Sequence, residues 1–308
     1  MLLLLASCDG GECCPSCFCR VRTTDIFEQV PPEAEDVVIL ADTSPENVAN
    51  ATALAEALPD LVTSLVEEDV DARIGVVRCD VWGRTDGGAL LGSVDVGDAS
   101  AGDTLAALVP TAGDGPERQP CLLAATLAVT APMIDTTNAG FLRDDTPLRV
   151  VAVAADDDCS AADADASCPV AADDVATVDS LLGALDAADA DGLTVSALAS
   201  GSGCDTTSQR YAAAVDATDG VFADLCADDV DTFLWAALGP AVPRYTTFTL
   251  SSAAVEDTLD VLVDDAAVLG DAEEGWTLEG AAHFLVFHGS AVPARGALVD
   301  VEYQVAGP

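Results

Sequence analysis

The stretch DVVILADTSPEN, residues 36–47, ends an apolar run on Asp42 and then sets Ser44 and Glu46 at alternate positions. A second run, RVVAVAA at 149–155, ends in the same manner on Asp156, Asp157 and Asp158. Carboxylates and hydroxyls are hard oxygen donors, the ligand set that holds Mg2+ or Ca2+. No histidine accompanies either cluster, so nothing in them argues for zinc. The metal reading names Asp42, Ser44, Glu46 and Asp156 as ligands. The plainer alternative is that Asp42 and Ser44 cap the helix that follows and that Asp156–Asp158 is a solvated acidic loop.

Either reading needs a frame for the two strand ends. A chain of 308 residues is long enough for two domains. Nearly continuous apolar runs occur at Val37–Ala41, Arg73–Val77, Arg149–Ala154 and Leu193–Leu198, with a shorter one at Val221–Ala223. Such runs belong to parallel strands covered on both faces. Helical patterns lie between them: Val48–Val66 with a break expected at Pro59, Ala101–Val109, Pro120–Ala131, Val175–Ala188, Gln209–Thr218 and Asp229–Leu238. The alternation predicts an α/β domain over residues 36–243 with a doubly wound, mostly parallel sheet. Ligands of such sheets bind outside the carboxyl ends of the strands, so neighbouring strands would release Asp42 and Asp156 at one rim.

The pattern changes after Pro243. The segments TTFTLS, TLDVLV, GWTL, HFLVFH and ALVDVEYQV are separated by turn signals at Gly270, Gly275, Gly280 and Pro293. They predict a small antiparallel β domain over residues 244–308. Residues 9–35, ending in QVPPEAE, read as a cysteine-rich linker.

DVVILADTSPEN resembles the first metal loop of von Willebrand factor A domains, whose metal-ion-dependent adhesion site reads Asp-x-Ser-x-Ser. Asp42 and Ser44 match, and Glu46 stands where the second serine is expected. LRVVAVAADDDCS resembles the later strand whose terminal aspartate, here Asp156, completes the site through water. NAGFLRDDTPLRVVAVAADDDCS and RYAAAVDATDGVFADLCADD are similar to secreted or lipoprotein members of the family from high-GC bacteria such as myxobacteria. The segments after Tyr245 are similar to the β module that often follows them, so the resemblance covers roughly residues 36–308. It implies a Mg2+ or Ca2+ site that keeps one coordination position for an acidic side chain of a protein partner. The family's middle threonine loop falls at PTAGDGPERQP, where Thr111, Asp114 and Glu117 are the oxygen donors on offer. Glu46 brings an extra charge on a longer arm. As a direct ligand it would shift the preference toward Ca2+, or it would fill the place of the partner's carboxylate.

Composition narrows the partners. The chain carries 54 acidic residues against 11 basic ones, all arginine, for a net charge of −43. Such a surface repels nucleic acid and anionic lipid. Two origins fit it: a GC-rich genome biased toward alanine and aspartate, or a salty environment in which screening removes the self-repulsion.

At the N-terminus, Leu5-Ala6-Ser7-Cys8 resembles the bacterial lipobox, in which the cysteine is lipidated. The apolar run before it is short, which a late start codon would explain. Membrane contact is therefore expected through a lipid on Cys8 alone, in an exported protein of the bacterial envelope, at the outer membrane or cell surface. Ten further cysteines suit an oxidising compartment. For Cys13, Cys14, Cys17 and Cys19, disulfides or a stalk are preferred over a zinc knuckle, since no histidine is near. In the body, Cys204 and Cys226 bracket the helix pattern Gln209–Thr218, and Cys159 and Cys168 bracket the acidic stretch SAADADAS. Cys79 and Cys121 remain as a pair by elimination, one of 15 connectivities open to six cysteines.

Enzymatic readings fail on inventory. GSGCD around Cys204 is centred on Gly203, not on a nucleophile, and no histidine precedes Tyr245 to act as its base. A metal-dependent hydrolase using Asp42 and Asp156 is the remaining enzymatic alternative. The expectation is a non-enzymatic, lipid-anchored binding protein. The runner-up is a metal-free structural or envelope module in which the β domain carries the binding.

Overall fold

The computed structural model describes residues 22–30, 33–81, 84–160, 176–188, 192–204, 207–280 and 283–305. They fall into two units, Glu33–Pro240 and a second made of the N-terminal segment with the residues from Ala241 onward. Strand β1 (Arg22–Glu28) belongs to the second unit. The larger unit runs β2 (Glu33–Ala41), α1 (Val48–Glu67), β3 (Val70–Arg78), β4 (Leu90–Asp95), α2 (Ala101–Leu108), α3 (Cys121–Val129), β5 (Leu148–Val153), α4 (Val178–Ala188), β6 (Leu193–Ala199), α5 (Gln209–Ala217), β7 (Phe222–Asp224) and α6 (Val230–Leu238). Its six strands are ordered β4-β3-β2-β5-β6-β7, all parallel except β4. The fold of this unit is mixed α/β on a mostly parallel sheet.

Successive side chains of a strand point to opposite faces. On β2, Val37, Ile39 and Ala41 join one core with Leu58 and Leu65 of α1, Leu105 of α2 and Phe233 of α6. Val38 and Leu40 join another with Leu122 of α3, Leu185 of α4 and Tyr211 of α5. Both faces of β2 meet helices, which is why its apolar run is unbroken. β4 had no signal of this kind. It is an antiparallel edge strand whose burial alternates, but an outward Leu91 and an inward Gly92 hide that period in the letters LLGSVD.

The break expected at Pro59 does not occur, and α1 continues through it. The buried face Leu54, Leu58, Leu61 and Leu65 holds the helix on the sheet. Burying four leucines outweighs the ~3 kcal/mol that an interior proline costs. Gly102 of α2 packs against the site, where a Cβ would lie 2.7 Å from Pro59 Cα. Two disulfides pair as expected: Cys79–Cys121 joins the end of β3 to the start of α3, and Cys204–Cys226 joins the segments after β6 and β7. Cys159 is buried and disulfide-bonded. Cys168 lies outside the described residues, as do Cys8, Cys13, Cys14, Cys17 and Cys19.

In the second unit, each of the five expected β segments contains a strand: β8 (Thr247–Thr249), β9 (Asp260–Val263), β11 (Trp276–Glu279), β12 (Phe284–Phe287) and β13 (Leu298–Gln304), with β10 (Ala266–Ala267) in addition. They form two antiparallel sheets, β1-β13-β9-β10 and β11-β12-β8. Phe248, Trp276, Phe287, Val299, Val301 and Tyr303 make the core. The linker expected over residues 9–35 is corrected here. Arg22–Glu28 is a strand paired along its whole length with β13, and β2 begins at Glu33. The unit is thus completed by residues upstream of the boundary expected at 244. Pairing is sealed by Asp25, whose Oδ2 accepts from Tyr303 Oη at 2.7 Å and from the Ser251 N–H at 2.8 Å.

The amino end of the large sheet carries a buried ionic network. Asp36 is wholly buried and paired with Arg143 at 2.7 Å, and Arg143 also reaches Asp71 at 2.8 Å. Glu35, 2 % exposed, pairs with Arg149, which donates to Ala237 O at 2.9 Å. Glu35 Oε1 is buried without a hydrogen-bond partner. Burial pushes the Glu35 carboxyl from 4.5 up to about 7, against the pull of Arg149. The folded chain therefore holds this proton more tightly than the unfolded chain between those two values. The stability it contributes is complete below that window and is lost as pH rises through it. Urea unfolding across pH should show Glu35→Gln losing less stability than the parent between pH about 4.5 and about 7, by up to about 3 kcal/mol. Parallel curves for the two proteins would show that Glu35 is not the group responsible.

Candidate functional site

β2 is where the strand order reverses, with β3 and β4 on one side and β5, β6 and β7 on the other. In such sheets the crevice for ligands opens at the carboxyl ends of the strands flanking the reversal. β2 and β5 are parallel and paired from Asp36↔Leu148 to Ala41↔Val153, so Asp42 and Asp156 leave the sheet at the same end. Asp42 is buried and turned inward: Oδ1 accepts from the Ser44 N–H at 2.8 Å, and Oδ2 from the Ala155 N–H at 3.2 Å. Asn47 adds a second tie, its Nδ2 donating to Asp42 O at 3.0 Å and to Val153 O at 3.1 Å. Ser200, just past β6, donates to Ala155 O at 2.8 Å. The ends of three strands are locked by side chains.

The loop 110–119 folds onto this rim. Thr43 O accepts from the Gly113 N–H at 2.9 Å and the Gly115 N–H at 3.0 Å. Gln119 Oε1 accepts from the Thr43 N–H at 3.2 Å, and the Gln119 backbone O accepts from the Cys159 N–H at 2.9 Å. Three loops thus meet: the one after β2, the one before α3 and the one after β5. Thr111, Asp114 and Glu117 are exposed on the middle loop.

The oxygen chemistry at the rim is unbalanced. Ser44 is fully buried, and its Oγ makes no well-formed hydrogen bond, though it lies near enough to the Asp42 carboxylate to favour its charged form. Burial pushes the Asp42 carboxyl above its ordinary range, against the Ser44 and Ala155 hydrogen bonds, and Asp156 adds to the push. Asp156 is half-buried and is likewise raised, first by desolvation and further by Glu46, Glu117 and Asp157; Arg118 opposes. Glu46 is exposed in the short turn Pro45–Asn47 that precedes α1. A buried hydroxyl without a well-formed hydrogen bond, beside a desolvated carboxylate on which Asp156 also acts, fits a hard divalent cation. Asp42, Ser44 and Asp156 would hold it, with Glu46 and Glu117 at the margin.

The three consecutive aspartates take different roles. Asp156 faces the rim, and Asp157 accepts from the backbone N–H groups of Gln209, Arg210 and Tyr211 at the start of α5. Such capping satisfies donors that the helix itself leaves free. Asp158 is buried and accepts from the Leu122 N–H at 2.9 Å, at the start of α3, and from Arg210 Nε at 3.0 Å. The solvated acidic loop of the plainer reading is therefore not what Asp157 and Asp158 form. Gln119, Asn47 and Arg210 carry the rim yet have no motif. Their partners lie 76, 106 and 52 residues away.

Among the described residues, the one set of three histidine, cysteine or carboxylate ligand atoms within 4.8 Å of one another is Cys204, Asp224 and Cys226. The two sulfurs are bonded to each other, so in this state they are not thiolate ligands.

No protein-family model and no curated protein matches the chain. Among solved structures it is similar to the pilus adhesin SpaC from Lactobacillus rhamnosus GG, at 14% identity and TM-score 0.45, covering 92% of this chain and 41% of that one. It is also similar to proximal thread matrix protein 1 of the mussel byssus, at 12% identity and TM-score 0.43, covering 73% and 51% respectively. A third is a von Willebrand factor type A protein from Catenulispora acidiphila, at 13% identity and TM-score 0.39, covering 94% and 66%. The chain spans less than half of the SpaC chain it matches. Such low scores transfer no residue roles to this chain.

Removing either hub of the rim strands buried backbone groups. Asn47→Ala and Gln119→Ala should each lower unfolding free energy by about 2 kcal/mol in urea titrations. A loss within experimental error of zero would mean that water replaces the amides at no cost.

Proposed function

We propose that this is an exported, lipid-anchored protein of the bacterial cell envelope, tethered through Cys8 at the outer membrane or cell surface. Its doubly wound, von Willebrand factor A-like domain binds a protein partner through Mg2+ or Ca2+ held at the rim, accompanied by a small β unit made of β1 and the residues from Ala241 onward. The observation that carries the reading is the buried Ser44 Oγ, without a well-formed hydrogen bond, next to the Asp42 carboxylate that two backbone N–H groups hold in place. The cation would supply an open coordination position for a carboxylate oxygen of the partner. Asp42 and Ser44 fix the inner side of the site, and Asp156 closes it from the neighbouring strand. Glu46 and Glu117 add negative charge that would favour the cation over an uncompensated rim. No catalytic role is assigned to any residue.

A second reading has its own support. Both Asp42 oxygens already accept backbone N–H bonds, and Arg118 supplies a positive charge near Asp156. On that reading the domain is a metal-free structural or envelope module, and the β unit carries the binding.

Calorimetric titration with Ca2+ and Mg2+ in about 0.5 M NaCl, which screens nonspecific uptake by the acidic surface, separates the two. The parent should bind one cation at the rim. Ser44→Ala and Asp156→Asn should each weaken binding at least about tenfold, about 1.4 kcal/mol, with circular dichroism unchanged. Equal uptake by the parent and both variants would remove the metal from the function and leave the second reading.

A further inference from the structure

Away from the rim pair, the segments after β6 and β7 bring two sulfurs and a carboxylate together. Cys204 and Cys226 are disulfide-bonded with Cα atoms 5.4 Å apart. Asp224 lies beside them, its carboxylate accepting from the Gly203 N–H at 2.6 Å, the Cys226 N–H at 3.0 Å and the Gly201 N–H at 3.3 Å. The two glycines make the approach possible: a Cβ at Gly201 or Gly203 would lie 2.6 or 2.9 Å from the Asp224 side chain. The carboxylate is thus fixed in place before any ligand arrives.

Cys204 Sγ is 3.4 Å from Asp224 Oδ1, and ligand atoms of all three residues lie within 4.8 Å of one another. A sulfur and an oxygen on one tetrahedral Zn2+ stand about 3.6 Å apart, given Zn–S of about 2.3 Å and Zn–O of about 2.1 Å. The Cys204–Asp224 spacing matches, and the two sulfurs, bonded to each other here, would part to about 3.8 Å on the metal. We propose that this disulfide conceals a soft-metal site, in which the reduced Cys204 and Cys226, with the Asp224 carboxylate, bind one Zn2+ and leave its fourth position to solvent.

The site is reachable. Cys226 is exposed and Cys204 half-buried, whereas Cys79 and Cys121 are 0% and 1% exposed. Of these two disulfides, a small reductant in solution meets Cys204–Cys226 first. With a trialkylphosphine, two electrons pass from phosphorus to the S–S bond, and the phosphine becomes its oxide. Water supplies that oxygen and the two thiol protons. Zn2+ then displaces both protons as two Zn–S bonds form. Two thiolates and one carboxylate select a borderline-soft cation over Mg2+.

The test uses the full chain, briefly reduced with a trialkylphosphine, freed of it, and pulsed with iodoacetamide in the presence of Zn2+ or Mg2+. Labelling is read cysteine by cysteine from peptide masses, so the other cysteines do not obscure the result. Zn2+ should slow labelling of Cys204 and Cys226 at least about tenfold while Mg2+ leaves it unchanged. Asp224→Asn, which keeps one oxygen acceptor for the Gly201 and Cys226 N–H groups and loses the one that faces Gly203, should forfeit most of that protection. Equal labelling rates in Zn2+ and Mg2+ overturn the proposal whatever the variant does. Protection undiminished in Asp224→Asn also overturns it, by removing the carboxylate from the site.

Discussion

β2 is hydrogen-bonded along both edges and packed on both faces, which leaves its last residue no freedom of direction. Asp42 must leave the sheet beside Val153, its side chain turned back to collect the N–H groups of Ser44 and Ala155. A carboxylate so placed loses its water and gains two donors, and burial still prevails in raising it. The rim depends on that compromise. The same oxygens that staple β2 to β5 are the oxygens a cation would need, and the Ser44 hydroxyl beside them makes no well-formed hydrogen bond. Carboxylate oxygens carry two lone pairs each, so the staple does not exhaust Asp42 as a ligand.

Charge is handled differently inside and outside. Glu35, Asp36 and Asp158 are buried acids, and each is met by an arginine: Arg149, Arg143 and Arg210. Arginine suits the task because its planar fork makes several bonds at once and it stays charged at any relevant pH. Arg143 shows this, binding Asp36, Asp71 and the carbonyls of Glu35 and Asp71 together. With only 11 basic residues against 54 acidic ones, most surface carboxylates have no basic residue to pair with. Their mutual repulsion is a long-range cost that added salt screens, whereas the buried pairs are shielded from it.

In the antiparallel unit, the decisive contact is between the two ends of the described chain. β1 supplies an edge strand to β13, and Phe27 packs on Phe248 with ring centroids 5.3 Å apart. Asp25 then ties Tyr303 and Ser251 in one cluster. An edge strand of alternating exposure, RTTDIFE, needs only one apolar side. That economy is why it reads as linker until its partner is known.

The sequence determines those elements whose period is local. Val37–Ala41 and Leu193–Leu198 are legible as strands because burial on both faces demands unbroken apolar residues. Asp42, Ser44 and Asp156 stand out because polar residues ending such runs must serve a turn, a cap or a ligand. The Cys204–Cys226 bond followed from a short bracket. Pro59 misled, because a proline's local cost says nothing of the leucine face that overrides it. Gln119, Asn47 and Arg210 left no trace, since an amide or a guanidinium acquires its role only from backbone groups brought near by folding. The division of work among Asp156, Asp157 and Asp158 has the same origin. Identical residues in a row differ only in which helix end or cavity each meets, and that is decided by how the strands and helices pack, not by the order of the chain.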